Sequence, residues 1–260
     1  MKIYTKESLI RELKKIRKQG WIKSQRKVSH GNVGNTLEDL LGIEENNLPI
    51  PNAAEWELKC QRAGTSSLTT LLHCEPSPKA IKFVSKILLP KYGWKHKKAG
   101  TKYPKTEMSF RQTISCLNYS DRGFCVKLDK RKRKIVISFN SKKTDEKHST
   151  WLKSVNTRIR LKELNPQPYW GFDDIFHKVG AKLSNCFYIE AEVKKENKKE
   201  FFKYSKIYQL SGLSIDKFLN CLEKGFILVD FNARTGHNHG TKFRFRKNKL
   251  PDLYKNVKEI

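Results

Sequence analysis

Residues 6–18 place Leu9, Ile10, Leu13 and Ile16 at helical spacing among lysines and arginines, which predicts an amphipathic helix. Gly20 stops it before Trp21, and a polar stretch with two glycines, residues 26–35, reads as a loop. Thr36 is read as the start of a second helix. Thr36 and Asp39 have capping-box spacing, with Asp in the Glu role, and Leu37, Leu40 and Leu41 supply the apolar face. That helix carries Glu38 and is expected to end near Asn46-Asn47. Pro49 and Pro51 break the chain before Asn52. From Glu55 to Cys60 polar and apolar residues then alternate, the signature of a strand. A period of two puts Glu55, Glu57 and Lys59 on one face and Trp56, Leu58 and Cys60 on the other.

Residues 66–73 are apolar and Thr-rich and are read as the neighbouring strand, and residues 90–112 as a basic, loop-like stretch. Phe124–Asp129 and Ile135–Phe139 predict a hairpin around the Lys130–Lys134 run. A helix is expected over Phe172–Lys182, and strands over Phe187–Val193 and Phe201–Leu210. Ser214 opens a helix to Glu223, closed by Gly225. Phe226–Phe231 and Lys242–Arg246 read as strands, with a turn at His237-Asn238-His239-Gly240. There is no internal repeat and no low-complexity linker, which favours one continuous α/β unit with insertions.

Composition narrows the partner. Hydrophobic residues make up 37% of the 260, enough for a core and too many for a disordered tail. Lys and Arg number 54 against 26 Asp and Glu, a net charge of +28. Such an excess favours a polyanion, and nucleic acid leads because a basic surface gains affinity by releasing condensed counterions. No apolar run is long enough to span a bilayer and no signal-peptide pattern opens the chain, so a membrane is not expected and a cytoplasmic location is. The six cysteines are scattered with no C-x-x-C pair. They read as reduced thiols rather than as a zinc site or a disulfide framework.

The Glu57-Leu58-Lys59 segment carries the chemistry. Acidic groups and a lysine on one strand face can hold a divalent metal beside a scissile phosphate, with the lysine orienting water or stabilising developing charge. This is the logic of the PD-(D/E)XK nucleases, although E-x-K alone also fits a solvated strand face. The surroundings add to it. Gly20-Trp21, Arg26-Lys27, Gly34-Asn35-Thr36-Leu37-Glu38-Asp39-Leu40-Leu41, Asn47-Leu48, Pro51-Asn52 and Glu55-Trp56-Glu57-Leu58-Lys59 follow one another in order. Downstream come Ser67-Leu68-Thr69-Thr70-Leu71, Tyr169-Trp170-Gly171-Phe172-Asp173, Phe202-Lys203-Tyr204 and His237-Asn238-His239-Gly240-Thr241-Lys242-Phe243-Arg244. Taken together these motifs, over nearly the whole chain, resemble the MvaI/BcnI restriction endonucleases, relatives of the mismatch-repair nicking enzyme MutH.

The resemblance implies a restriction-endonuclease-like α/β fold, a mixed central sheet flanked by helices, with catalytic and recognition subregions around a DNA cleft. The catalytic subregion is expected over roughly 1–90 and 110–165, and the recognition subregion over 166–260. It implies Glu57 as a metal-binding carboxylate, Lys59 as the catalytic lysine and Glu38 as a further acid on the helix, which by itself also fits an ordinary helix glutamate. The family's first metal-binding aspartate falls on Asn52, and its glycine-lysine becomes Gly34-Asn35. Asparagine offers Mg²⁺ a neutral oxygen, which weakens the site. Three explanations stay open for Asn52. It is an exchange made to trap a DNA complex, or Glu55 or Glu38 acts as the second acid, or the chain binds without cutting.

The resemblance also implies a monomer that nicks one strand at a time at a short, C·G-rich, pseudopalindromic double-stranded site, with Mg²⁺ as cofactor and Ca²⁺ as a non-cleaving substitute. A cognate methyltransferase is expected in the host. Asp230, Asn232, Arg234, His237, Asn238, His239 and Arg244 are the candidate DNA-reading residues, since Arg suits guanine, Asn adenine, and acids the cytosine amino group. His237-x-His239 also fits a metal pair or a plain polar turn. Lys95, Lys97, Lys98, Lys102, Lys105 and the Lys130–Lys134 run are expected to meet phosphates, which position a duplex without reading it. A basic RNA-binding protein is the reading from another class, opposed by the lack of an RRM-like aromatic motif or a KH-like clamp.

Overall fold

The computed structural model describes residues 4–26, 28–29, 31–44, 51, 53, 55–65 and 68–260. The chain divides into two compact units, one of residues 1–69, 177–217 and 246–260, the other of residues 70–176 and 218–245. By this division residues 70–90 and 110–165 belong to the second unit, and residues 177–217 belong to the first, with the Glu57 strand.

The first unit is built on a mixed sheet. Its strands are β1 (Ile22–Lys23), β2 (Glu57–Arg62), β9 (Asn185–Glu196), β10 (Lys199–Leu213) and β14 (Tyr254–Glu259). They run in the order β1-β10-β9-β2, with β14 also pairing β10. Among the described residues of this sheet the β2–β9 pair is parallel and the others are antiparallel, with Glu57 opposite Cys186 and Lys59 opposite Tyr188. Helices α1 (Lys6–Lys18) and α2 (Asn32–Leu41) cover one sheet face. Leu9, Leu13, Val33, Leu37 and Leu41 pack there with Trp56, Leu58, Phe187 and Ile189. The alternation read in the sequence holds from Trp56 to Lys59, because Trp56 and Leu58 enter this core and Glu57 and Lys59 take the other face, but Glu55, read as the start of the strand, lies exposed in a turn before it.

Three local expectations are corrected. Thr36 does not cap α2. The helix starts one turn earlier at Asn32, and Thr36 is buried inside it, its hydroxyl 3.0 Å from that of Ser24. Asp39 instead takes a two-pronged contact from Arg26 at 2.8 and 2.5 Å, a bond that holds its carboxyl below the usual range. The helix ends at Leu41 rather than near Asn46-Asn47, because Gly42 turns left-handed with φ 65° and its amide donates back to Asp39. The Thr-rich segment is not the partner of β2, whose hydrogen-bonded neighbour is β9. It forms β3 (Thr69–His73), which pairs in the other unit.

The second unit holds two sheets. One contains β3, β4 (Trp94–Lys95), β5 (Met108–Ile114), β11 (Ile227–Arg234), β12 (His237–Asn238) and β13 (Lys242–Phe245), in the order β3-β13-β11-β5-β4 with β12 on β11. The other contains β6 (Arg122–Asp129), β7 (Lys134–Thr144) and β8 (Tyr169–Gly171). The predicted hairpin is β6–β7, and the stretch read as loop to residue 112 already enters β5 at Met108. Helices α3 (Leu89–Tyr92) and α4 (Ser149–Ile159) belong to this unit, whereas α5 (Phe172–Leu183) and α6 (Ile215–Glu223) pass from one unit to the other. The core is aromatic. Phe110 packs on Phe124 and Phe231 with ring centres 5.5 and 5.7 Å apart, and the Arg122 guanidinium lies 4.1 Å over Trp94 and 4.8 Å over Trp151.

A buried charge ties β2 to β10. Glu200, 1% exposed, accepts from Arg62 at 2.6 and 2.9 Å and from the Asn32 amide at 2.9 Å. Burial pushes this carboxyl up, but the hydrogen bonds from Arg62 and Asn32 and the charges of Arg62 and Lys195 outweigh it and hold it below the usual range. Removing one partner of such a pair strands the other. Arg62→Ala should therefore cost about 3–5 kcal/mol in chemical denaturation. Because the folded value is depressed, the contribution is complete above the unfolded value and is lost as pH falls through the folded one. The variant's acid limb should move to higher pH.

Candidate active site and nucleic-acid interface

The Glu57 carboxylate is 2% exposed, and its Oε1 accepts from the ammonium of Lys59 on the same strand face. A second ammonium, Lys182, stands 3.8 Å from the same oxygen. Only Ser184 separates α5 from β9, whose first residues pair with β2, and this short connection delivers Lys182 to Glu57. The helix was expected from sequence. Lys182 was not singled out, because one lysine among 54 basic residues carries no local signal. Under the site, Tyr254 donates to the Leu183 carbonyl at 2.8 Å, and burial pushes the Cys186 thiol up to about 12. That thiol stays protonated at neutral pH and is no nucleophile.

Glu57 Oε2 is buried and has no hydrogen-bond partner among the described residues. A buried carboxylate oxygen left open in this way fits a hard cation. Among the described residues no group of three or more His, Cys, Asp or Glu could hold a metal ion. Asn52 lies outside the described residues. Glu38 is half-buried on α2, which packs against the sheet face opposite Glu57.

The DNA-reading candidates gather on β11, β12 and β13. Along β11, Val229, Phe231 and Ala233 are buried and Asp230, Asn232 and Arg234 take the outer face. Asp230 accepts from the Thr113 hydroxyl at 2.8 Å and lies 3.5 Å from Arg244. Asp230, Asn232 and Arg244 line a polar concavity of about 430 Å³ together with Arg111, Thr113 and Lys242. Arg234 turns elsewhere, donating to the buried Glu107 at 3.1 Å and stacking 4.7 Å over Tyr103. His237 Nε2 and His239 Nδ1 are 3.2 Å apart, so the two rings meet each other. Burial first, then the charges of His237, Lys242, Arg111 and Arg234, hold the His239 imidazole below its ordinary value, which favours the neutral ring.

The basic stretches differ from one another. Lys95, Lys97, Lys98, Lys102 and Lys105 are exposed, with no ion pair among the described residues. In the hairpin run, Lys130 pairs with Glu223 at 2.8 Å, Arg133 with Asp173 at 2.7 Å, and Lys134 lies 3.7 Å over the Tyr169 ring. No helix among the described residues is long and apolar enough to cross a membrane.

The sequence profile of the MvaI/BcnI restriction endonuclease family matches residues 10–254. The chain belongs to that family. Among solved structures, restriction endonuclease MvaI in complex with its cognate DNA substrate is similar at 24% identity and a TM-score of 0.76, over 98% of this chain and 99% of that one. Restriction endonuclease MvaI in the absence of DNA is similar at 25% identity and a TM-score of 0.55 over the full length of both. Comparison with curated proteins gives no match. The restriction-endonuclease-like α/β fold expected from the motifs is therefore the fold of this family member.

The turn bearing His237, Asn238 and His239 is anchored by one side chain. Glu75 accepts from the Thr241 amide at 2.8 Å, the Thr241 hydroxyl at 3.1 Å and the Asn238 amide at 3.3 Å. Each hydrogen bond to a charged group contributes about 1.5–3 kcal/mol. Glu75→Ala should accelerate amide exchange at Thr241 by about tenfold or more, while the β6–β7 amides keep the parent rate. Unchanged exchange at Thr241 would show that Glu75 does not hold the turn.

Proposed function

We propose that this protein is a type II site-specific DNA endonuclease. It hydrolyses a phosphodiester of a short, C·G-rich, pseudopalindromic double-stranded site, with Mg²⁺ as cofactor, and acts as a monomer that nicks one strand at a time. The observation that carries the reading is the pair Glu57 and Lys59 on one face of β2, with the second Glu57 oxygen buried and unpartnered, in a member of a restriction endonuclease family. The MvaI structure that it resembles is a complex with cognate DNA, which favours duplex DNA as the partner.

Glu57 Oε2 and the Asn52 amide oxygen would hold the ion, with waters completing its shell. Bound there, Mg²⁺ supplies polarisation of a phosphoryl oxygen and a more acidic water. Lys59, anchored on Glu57, has three donors. One binds the carboxylate, and the others are available to orient the attacking water or to meet charge that builds on phosphate. Lys182 keeps Glu57 neutralised while Lys59 does so. On the second unit, Asp230, Asn232, Arg244 and the His237–His239 turn are the groups that read bases, and the exposed lysines from Lys95 to Lys105 meet phosphates.

A second reading has its own support. Asn52 brings no charge, and Glu57 faces two ammonium groups, so metal affinity is weakened; the chain would then bind its site and cut slowly or not at all. Plasmid cleavage in Mg²⁺ by the parent and by Asn52→Asp separates the two. A gain of cutting on restoring the carboxylate supports the nuclease, whereas no cutting by either, with site-specific binding intact, supports the silent binder. Lys59→Ala should abolish cutting while duplex affinity measured in Ca²⁺ stays within about tenfold of the parent. A variant that cuts at the parent rate removes Lys59 from the mechanism.

A further inference from the structure

Of the three cations on the polar concavity, Arg244 is paired, whereas Lys242 and Arg111 have no side-chain partner among the described residues, and of these two Arg111 carries the planar fork. Arg244 faces Asp230 at 3.5 Å, and Thr113 bonds the other oxygen of that carboxylate. Arg111 lies on β5 directly across from Asn232, next but one to Thr113, which lies across from Asp230. Directly opposed residues of an antiparallel pair share a face, so Arg111 projects on the side of Asp230 and Asn232. The strand alternates accordingly, with Phe110 and Ile114 buried and Arg111 and Thr113 turned outward. The Arg111 guanidinium is exposed and has no side-chain partner among the described residues. Its backbone is held by the β5–β11 ladder, and Phe110 beside it packs on Phe231 at 5.7 Å, so a rigid strand presents the group.

Building on the endonuclease reading, we propose that Arg111 is a specificity-determining residue that donates two parallel hydrogen bonds to O6 and N7 of one guanine in the site. A guanidinium offers a planar fork of donors, and the guanine major-groove edge offers two acceptors at matching spacing. Asn232, one strand away, has both a donor and an acceptor for a neighbouring base. Asp230 has the acceptor that a cytosine amino group requires. The concavity carries three cations and one carboxylate, which suits an acceptor-rich edge. A phosphate is the other group that a fork could take. It would add affinity without sequence preference.

The test uses the full-length protein and 30-bp duplexes with a randomised centre, selected for binding in Ca²⁺ and sequenced, for the parent, Arg111→Ala and Arg111→Lys. The parent should enrich a defined site. Arg111→Ala should lose preference for guanine at one base pair by roughly tenfold or more, with the other positions kept. Arg111→Lys, which keeps the charge and loses the fork, should relax the same position while the salt dependence of binding stays at the parent slope. A uniform loss over all positions with a shallower salt slope makes Arg111 a phosphate contact and overturns the proposal, as does an unchanged site in both variants. If the parent itself enriches no site, the endonuclease reading fails and this inference goes with it. A parent site that both variants retain defeats the inference alone.

Discussion

Everything proposed for the first unit turns on a carboxylate that the fold takes out of water. Burying a charge without a partner costs several kcal/mol, and Glu57 is 2% exposed. Lys59 meets this cost from the same strand and Lys182 from the end of α5. Both ammonium groups converge on one oxygen, and the other has no hydrogen-bond partner among the described residues. A buried, half-satisfied carboxylate is an unfavourable way to stabilise a sheet and a favourable way to hold a cation. The parallel β2–β9 pair fixes this arrangement, because parallel register brings Glu57 level with the residue where α5 has just ended.

The same unit shows how a buried charge looks when its role is structural. Glu200 is as deeply buried as Glu57, yet both of its oxygens are bonded, by Arg62 in two prongs and by Asn32. It locks β10 to β2 and to the first turn of α2. The contrast assigns the two acids by saturation rather than by depth.

Sequence alone revealed the β2 faces, since a period of two leaves little freedom once Trp56 and Leu58 must enter a core. It also revealed the β9–β10 and β11–β13 strands and the last helices. What it missed depended on distant contacts. Thr36 has the spacing of a cap, but Ser24 and Glu200 reach Asn32 and start the helix a turn sooner. The Thr-rich β3 has the composition of a neighbour to β2 and pairs instead with β13. Strand β14 shows no apolar alternation because, after Tyr254, it is exposed and held to β10 by backbone bonds. Helix α4 is rich in β-branched residues that favour strands, and it is held by Trp151 and Val155 in the core. Lys182 and Arg111 gain meaning only from what they are placed beside.

The net charge of +28 is likewise unequal in what it offers a polyanion. Arg62 is consumed inside the fold, and Arg122 is clamped between two tryptophans. Lys130 and Arg133 are paired, but Lys130 with Glu223 is an exposed pair, 72% and 43% accessible at the side chains. Such a pair contributes only about 0–1 kcal/mol, so a phosphate can take over the lysine at little cost. The lysines between 95 and 105 need no exchange at all. Affinity that comes from counterion release should therefore be concentrated first in that stretch and second in the hairpin. Arg111 differs from both because it is held by its strand among groups able to tell one base from another.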